Sequence, residues 1–119
     1  MTTKEVAEKF HAYMNQGAFE KIYTELYSPD ATSEEAPGSD WGKANGMAEI
    51  MEKGKKWGDT VEEMFGGTTG EPLVAGNYFT CYMTMDFTPK GGSRMTMEEL
   101  GLYRVENGKI VSEQFFYQM

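Results

Sequence analysis

Met97-Glu-Glu-Leu-Gly-Leu-Tyr-Arg-Val-Glu-Asn-Gly-Lys-Ile-Val-Ser-Glu-Gln-Phe-Phe-Tyr117 is the stretch from which the rest of the fold is read. Two runs rich in branched and aromatic residues flank Asn107-Gly108, and a tight turn needs positive φ, which Asn and Gly adopt at least cost. The segment is therefore a β-hairpin, with Glu106 and Lys109 flanking the turn as an opposite-charge pair. Two registers stay open. A two-residue turn pairs Tyr103 with Ser112 and Gly101 with Gln114. A three-residue turn with a bulge at Gly108 pairs Tyr103 with Val111, Gly101 with Glu113 and Glu99 with Phe115. The choice matters because a one-residue slip exchanges the two faces of the last strand. In both registers Leu100, Leu102, Phe115 and Phe116 load both faces with apolar groups. Both faces are therefore expected to be covered, one by helices and the other by a second subunit.

Working outward from the hairpin, the reading stays β back to Thr60: about 60–65, 73–75, 78–88, 94–105 and 109–118. Gly66-Gly67, Gly76-Asn77 and Pro89-Lys-Gly-Gly punctuate it. The first half is helical. Val6, Phe10, Tyr13 and Met14 form one stripe over 3–16, with Thr3 as N-cap and Gly17 as stop. Phe19, Ile22, Tyr23, Leu26 and Tyr27 form another over 18–28, which ends before Pro29. Ala31–Ala36 reads as a short strand in which Glu34 and Glu35 face opposite ways. A third helix spans about 45–57, with Asn45 as cap and Met47, Ile50, Met51, Gly54 and Trp57 on one side. Helices followed by a meander make an α+β pattern, in which the helices cover one face of a curved antiparallel sheet.

The bulk numbers exclude several classes. A chain of 119 residues reads as one domain spanning 1–119, and a net charge of −8 opposes nucleic acid or an anionic membrane as partner. No apolar run reaches membrane length, and Met1–Asn15 lacks the apolar core of a signal peptide; with one cysteine, Cys81, the expected setting is cytoplasmic. One His and one Cys offer no zinc-type ligand spacing, so neither a metal nor a cofactor is expected. Ten methionines suit a deformable core or a loosely specific pocket.

The order helix, helix, short strand, helix, long meander resembles the nuclear transport factor 2-like superfamily, which includes ketosteroid isomerases, SnoaL-type polyketide cyclases and scytalone dehydratases. The resemblance is carried by Asn15-Gln-Gly-Ala-Phe19, Tyr27-Ser-Pro-Asp-Ala-Thr32, Asn45-Gly-Met-Ala-Glu-Ile50 and Tyr103-Arg-Val-Glu-Asn-Gly-Lys-Ile-Val111. It implies a cystatin-like cone: a strongly bent sheet packed on three N-terminal helices, open at one end, and a homodimer formed through the sheet's outer face. In the isomerases a carboxylate near the end of the first strand shuttles a proton, while a tyrosine and a protonated aspartic acid hold the enolate oxygen. The base position falls on Glu35. The tyrosine position falls on Phe10 and the aspartic acid position on Gly101, so both oxyanion donors of that mechanism are missing, and such donors are commonly the largest catalytic term.

Tyr13, one turn from Phe10, and Glu99, two residues from Gly101 on the same strand face, are the replacements to be weighed for polarising a carbonyl. The bland reading makes Tyr13 a core residue with its hydroxyl at the rim and Glu99 a solvated carboxylate. Phe10, Met51, Trp57, Met85, Tyr103 and Tyr117 are expected as walls. The expected function is binding of a small, largely apolar organic molecule in the cone, with isomerase-, cyclase- or dehydratase-type proton transfer within its scope. The alternative is a non-catalytic ligand-sensing or dimeric interaction module.

Overall fold

The computed structural model describes residues 1–118. Helix α1 (Thr3–Gln16) is capped one residue earlier than expected: Thr2, not Thr3, is the N-cap. Its hydroxyl accepts from the Glu5 N–H at 3.1 Å while the Glu5 carboxylate accepts from the Thr2 N–H at 2.9 Å. Gly17 ends the helix in the left-handed region at φ 70°, which a side chain would resist.

The second helix is shorter than its apolar spacing suggests. Regular α2 (Phe19–Lys21) passes into a π-helical stretch, Ile22–Leu26, and Tyr27 is already extended. Local periodicity ran through Tyr27, but strand pairing takes that residue, and its hydroxyl is held by Glu113 across the sheet. Strand β1 (Tyr27–Glu34) therefore starts four residues ahead of Ala31. A short strand, β2 (Lys43–Asn45), lies within the expected loop and helix cap; α3 (Met47–Gly58) starts from Gly46, and Asn45 instead donates its N–H to the Glu49 carboxylate.

The remaining strands are β3 (Val61–Thr69), β4 (Leu73–Ala75), β5 (Tyr78–Pro89), β6 (Met95–Glu106) and β7 (Lys109–Phe116). The sheet order is β2-β1-β7-β6-β5-β3, with β4 also on β5. Every pairing is antiparallel except β1 with β7, which is parallel and joins segments far apart in the chain. Gly66-Gly67 does not end β3 as expected: a register shift between Met64 and Gly66 leaves Phe65 as the extra residue of a bulge, and both glycines stay paired inside the strand. The result is the expected α+β cone, three helices on the concave face of a curled, unclosed sheet. Among the described residues no helix is long and apolar enough to cross a membrane.

The C-terminal hairpin keeps the two-residue turn, but its ladder beyond the turn follows neither of the expected registers. Asn107 (φ 50°) and Gly108 (φ 75°) form a two-residue turn that pairs Glu106 with Lys109 and Val105 with Ile110. The ladder then slips by one, with Arg104 opposite Ser112, so Val111 is extra. Beyond it Tyr103 faces Glu113 and Gly101 faces Phe115. These pairings lie two residues along β7 from those of the three-residue turn, and for that reason they turn the same alternate residues of the last strand inward. The expected Glu106–Lys109 pair is not an ion pair: Glu106 takes Arg104, and Lys109 donates to the Glu25 carbonyl at 2.6 Å.

Candidate functional site

Alternation along β5, β6 and β7 turns Met85, Glu99, Glu113 and Phe115 inward beneath α3. Between them and the helix lies a cavity of about 210 Å³, walled by Tyr23, Trp41, Trp57, Phe115 and Tyr117 among others. Glu35 reaches it from just beyond β1, where its N–H bonds to the Gly42 carbonyl. Lys53 reaches it from the middle of α3.

These side chains form one hydrogen-bonded chain. The Glu35 carboxylate accepts from Lys53 Nζ and from the Tyr117 hydroxyl, both at 2.8 Å. Tyr117 has one proton, given to Glu35, so Ser39 at 3.1 Å is the donor in its own contact with that hydroxyl. Lys53 also donates to Ser33 Oγ at 2.6 Å, Ser33 donates to Glu113 Oε2 at 2.6 Å, and Tyr27 donates to Glu113 Oε1. The side chains of Glu35 and Lys53 are each only 15% exposed, so water screens this pair far less than a surface ion pair.

Glu99 stands apart from this chain. Among the described residues no hydrogen-bond donor reaches its carboxyl, yet it lines the same cavity. Burial, followed by the charges of Glu35 and Glu113, pushes it up to about 7, and Lys53 offsets part of that. Burial also raises Glu113, against the pull of the Ser33 and Tyr27 hydrogen bonds. Tyr117 is raised by burial and by giving its proton to Glu35. The cavity thus holds one carboxylate clamped by Lys53 and Tyr117, and one carboxyl that changes state near neutrality. Such a pair is chemically equipped to exchange a proton with a bound oxygen or carbon acid. Among the described residues no cluster of three or more His, Cys, Asp or Glu is placed to hold a metal ion.

The structure brings Glu35, Glu99, Trp57, Met85 and Tyr117 to this cavity. It places four other expected residues elsewhere. Tyr13 packs its ring against the core and gives its hydroxyl to Glu25 at 2.7 Å in an exposed contact, as the bland reading expects. Met51 is half exposed on the far side of α3, because a residue next to Ile50 lies about 100° around the helix. Phe10 and Tyr103 are walls of a solid core: Phe10 packs on Phe79 and Tyr103 at centroid distances of 5.4 and 4.6 Å, and Tyr103 stacks on Phe79 at 4.8 Å. Gly101 explains why. A Cβ there would stand 2.6 Å from the Tyr103 hydroxyl and 2.7 Å from Met83 Cε. The space beside the aspartic acid position is occupied by Tyr103, whose hydroxyl points to Met83 Sδ.

Lys53, Glu113, Ser33 and Tyr27 were missed by sequence reasoning. Lys53 carried a signal, a cation one turn from Ile50 and Trp57 on the inner stripe of α3. Glu113 was visible only as an inward residue of one of the two open registers. No local pattern marks Ser33 or Tyr27, since their partner lies about 80 residues away.

Several known proteins are similar to this chain. A Mesorhizobium loti protein, provisionally assigned as a SnoaL-like polyketide cyclase, is 35% identical; the match covers 98% of this chain and all of that one, with a TM-score of 0.90. TerC, crystallised with polyporic acid, is 18% identical over 98% of this chain and 91% of its own, TM-score 0.79. A ketosteroid isomerase-like fold from Catenulispora acidiphila, in complex with trimethylamine, is 20% identical over 97% and 86%, TM-score 0.74. No curated protein matches the chain. The model of the SnoaL-like domain family matches residues 1–117, nearly the whole length over which the cone and its cavity are built, and the chain belongs to that family.

Proposed function

We propose that this protein binds a small, largely apolar organic molecule bearing a carbonyl or enol oxygen, and that Glu99 exchanges a proton with it in an isomerase-, cyclase- or dehydratase-type step. The observation that carries this reading is a carboxyl without a hydrogen-bond donor, poised near neutral pH, on an aromatic-walled cavity shared with Glu35, Lys53 and Tyr117. A general acid–base is most effective when its pKa lies near the working pH. Glu35, placed by resemblance as the base, holds Lys53 and Tyr117 in position, and both can turn a proton toward a ligand oxygen. The Mesorhizobium loti relative's provisional assignment and the polyporic acid in TerC are in keeping with such a ligand.

The test is deuterium exchange, followed by NMR, at the carbon next to the carbonyl across a panel of cyclic ketones and enones. Accelerated exchange that falls at least about a hundredfold in Glu99→Gln supports acid–base chemistry. Saturable binding without exchange sinks that part and leaves the second reading, a non-catalytic ligand-sensing module. The observation favouring the second reading is the plugged position beside Gly101, which leaves no room for the family's acid donor.

The reading includes a homodimer. Tyr82, Leu100 and Phe116 are directly opposite one another across β5, β6 and β7 and are 46%, 49% and 39% exposed, a continuous apolar row on the outer face. Sedimentation velocity on Leu100→Glu checks it: the wild type is expected to be dimeric and the variant monomeric. The inert, buried Cys81 thiol suits the cytoplasmic setting in this reading.

A further inference from the structure

A second cavity, of about 450 Å³, lies beside the first, between the C-terminal end of α1 and strands β3 and β5. Met85 and Glu99 line both cavities. We propose that the two are compartments of one binding site, with Met85 and Glu99 as the partition. Its ligand is then an elongated neutral molecule that places its polar group at the partition and an apolar chain in the second compartment. This rests on the reading of the first cavity as a ligand site.

Three features carry the inference. In the ladder Met83 faces Glu99 and Met85 faces Met97, so Met85 and Glu99 are diagonal neighbours on one inward surface. A methionine there has three rotatable bonds and swings aside without moving the strand. Next, the far compartment is walled by flexible or exposed apolar groups: Met14, Met83, Phe19 (52% exposed) and Met64 (48% exposed). Apolar surface left in water at a cavity rim is surface that a hydrocarbon chain would cover favourably. Last, the polar compartment sets Glu35, Glu99 and Glu113 against one cation, Lys53, which is already paired. An anionic head group would meet uncompensated like charge, whereas a neutral carbonyl can accept from Glu99 in its protonated form.

The experiment uses alkyl phenyl ketones from acetophenone to octanophenone. Binding is read by quenching of Trp41 and Trp57, the chain's two tryptophans, both of which line the first cavity. Affinity is expected to rise about threefold per added methylene. Met64→Lys, a charge at an exposed position that lines only the second cavity, is expected to abolish that rise. Acetophenone binding with no gain from longer chains would overturn the second compartment while leaving the first-cavity reading intact. No binding by any ketone would overturn both. Phenylalkanoic acids of matched length are expected to bind at least about tenfold more weakly at pH 8; equal affinity would overturn the requirement for a neutral ligand.

Discussion

At one end of the cone Phe10, Phe79 and Tyr103 fill the space between α1 and the sheet; at the other, Glu35, Lys53, Glu99, Glu113 and Tyr117 surround an open cavity. The same strands build both ends. Strand β6 contributes Tyr103 to the packed end and Glu99 to the polar one, each one inward position from Gly101, on either side of it. β5 contributes Phe79 and then Met85. In the packed end, edge and stacking contacts add about 1 kcal/mol per aromatic pair beyond the burial of the rings. The polar end forgoes that packing and keeps buried charge, which is tolerated only where it is paired and hydrogen-bonded. The comparison teaches that the chain closed the region where the resemblance would place oxyanion donors. It left its ionisable groups nearer the mouth, between α3 and β7.

Substitutions can break this contrast in graded steps. The largest effect is expected at the packed end: Phe10→Ala should destabilise the protein by about 4 kcal/mol, because it removes a ring that two other rings enclose. Chemical denaturation checks it, and a cost under about 1 kcal/mol would mean that this end is not solid. Lys53→Met should cost about 3 kcal/mol by stranding the Glu35 carboxylate, and it should raise Glu99 further, since Lys53 is the group that holds it down. Carboxyl NMR on the variant reads the second effect directly; a Glu99 that does not move would remove Lys53 from its surroundings.

Gly101→Ala should cost about 2 kcal/mol from overpacking against Tyr103 and Met83, and Gly101→Ala with Tyr103→Phe should recover part of it, because the hydroxyl is the nearest clashing atom. No recovery would place the clash elsewhere. The smallest effect is the one with a pH signature. Glu99 keeps its proton in the folded state up to about 7, whereas the unfolded chain loses it near 4.5. Between those values the unfolded state holds fewer protons, so stability falls as pH rises from about 4.5 to about 7 and then levels off. Allowing for solvent at the cavity, the fall should be about 2 kcal/mol. Glu99→Gln should lose this fall, so the wild-type-minus-variant difference should carry it; a flat difference would mean that Glu99 ionises freely in the fold.

Much of the architecture is legible in local patterns. The 3.6-residue stripes of α1 and α3, the Asn107-Gly108 turn and the alternation of β5 and β6 depend on neighbours a few residues away, and the sequence holds those neighbours together. The boundaries that shifted did so where a distant strand competed with a local preference. Tyr27 left a helical stripe to pair beside β7, Lys43–Asn45 became an edge strand on β1, and Gly66-Gly67 was taken into β3 by pairing with β5 after a bulge at Phe65.

The candidate site divides along the same line. Trp57 and Met85 lie on readable apolar faces, whereas Glu35 came through the resemblance, spacing leaving open whether Glu34 or Glu35 faces inward, and Tyr117 sat on a strand of open register. The disposition of Glu113 hung on one extra residue, Val111, which keeps a two-residue turn yet swings Glu113 and Phe115 to the cavity side. The sequence by itself determined helices α1 and α3, the hairpin turn and the α+β order, because each follows from period and turn chemistry, while the cone was what the resemblance implied. Only the tertiary structure decided that Lys53 bridges Glu35 to Ser33, that Tyr103 seals the space beside Gly101, and that no donor among the described residues reaches Glu99. Each of these depends on groups brought together by folding from distant parts of the chain, where burial and mutual charge, not residue type, fix what a side chain does.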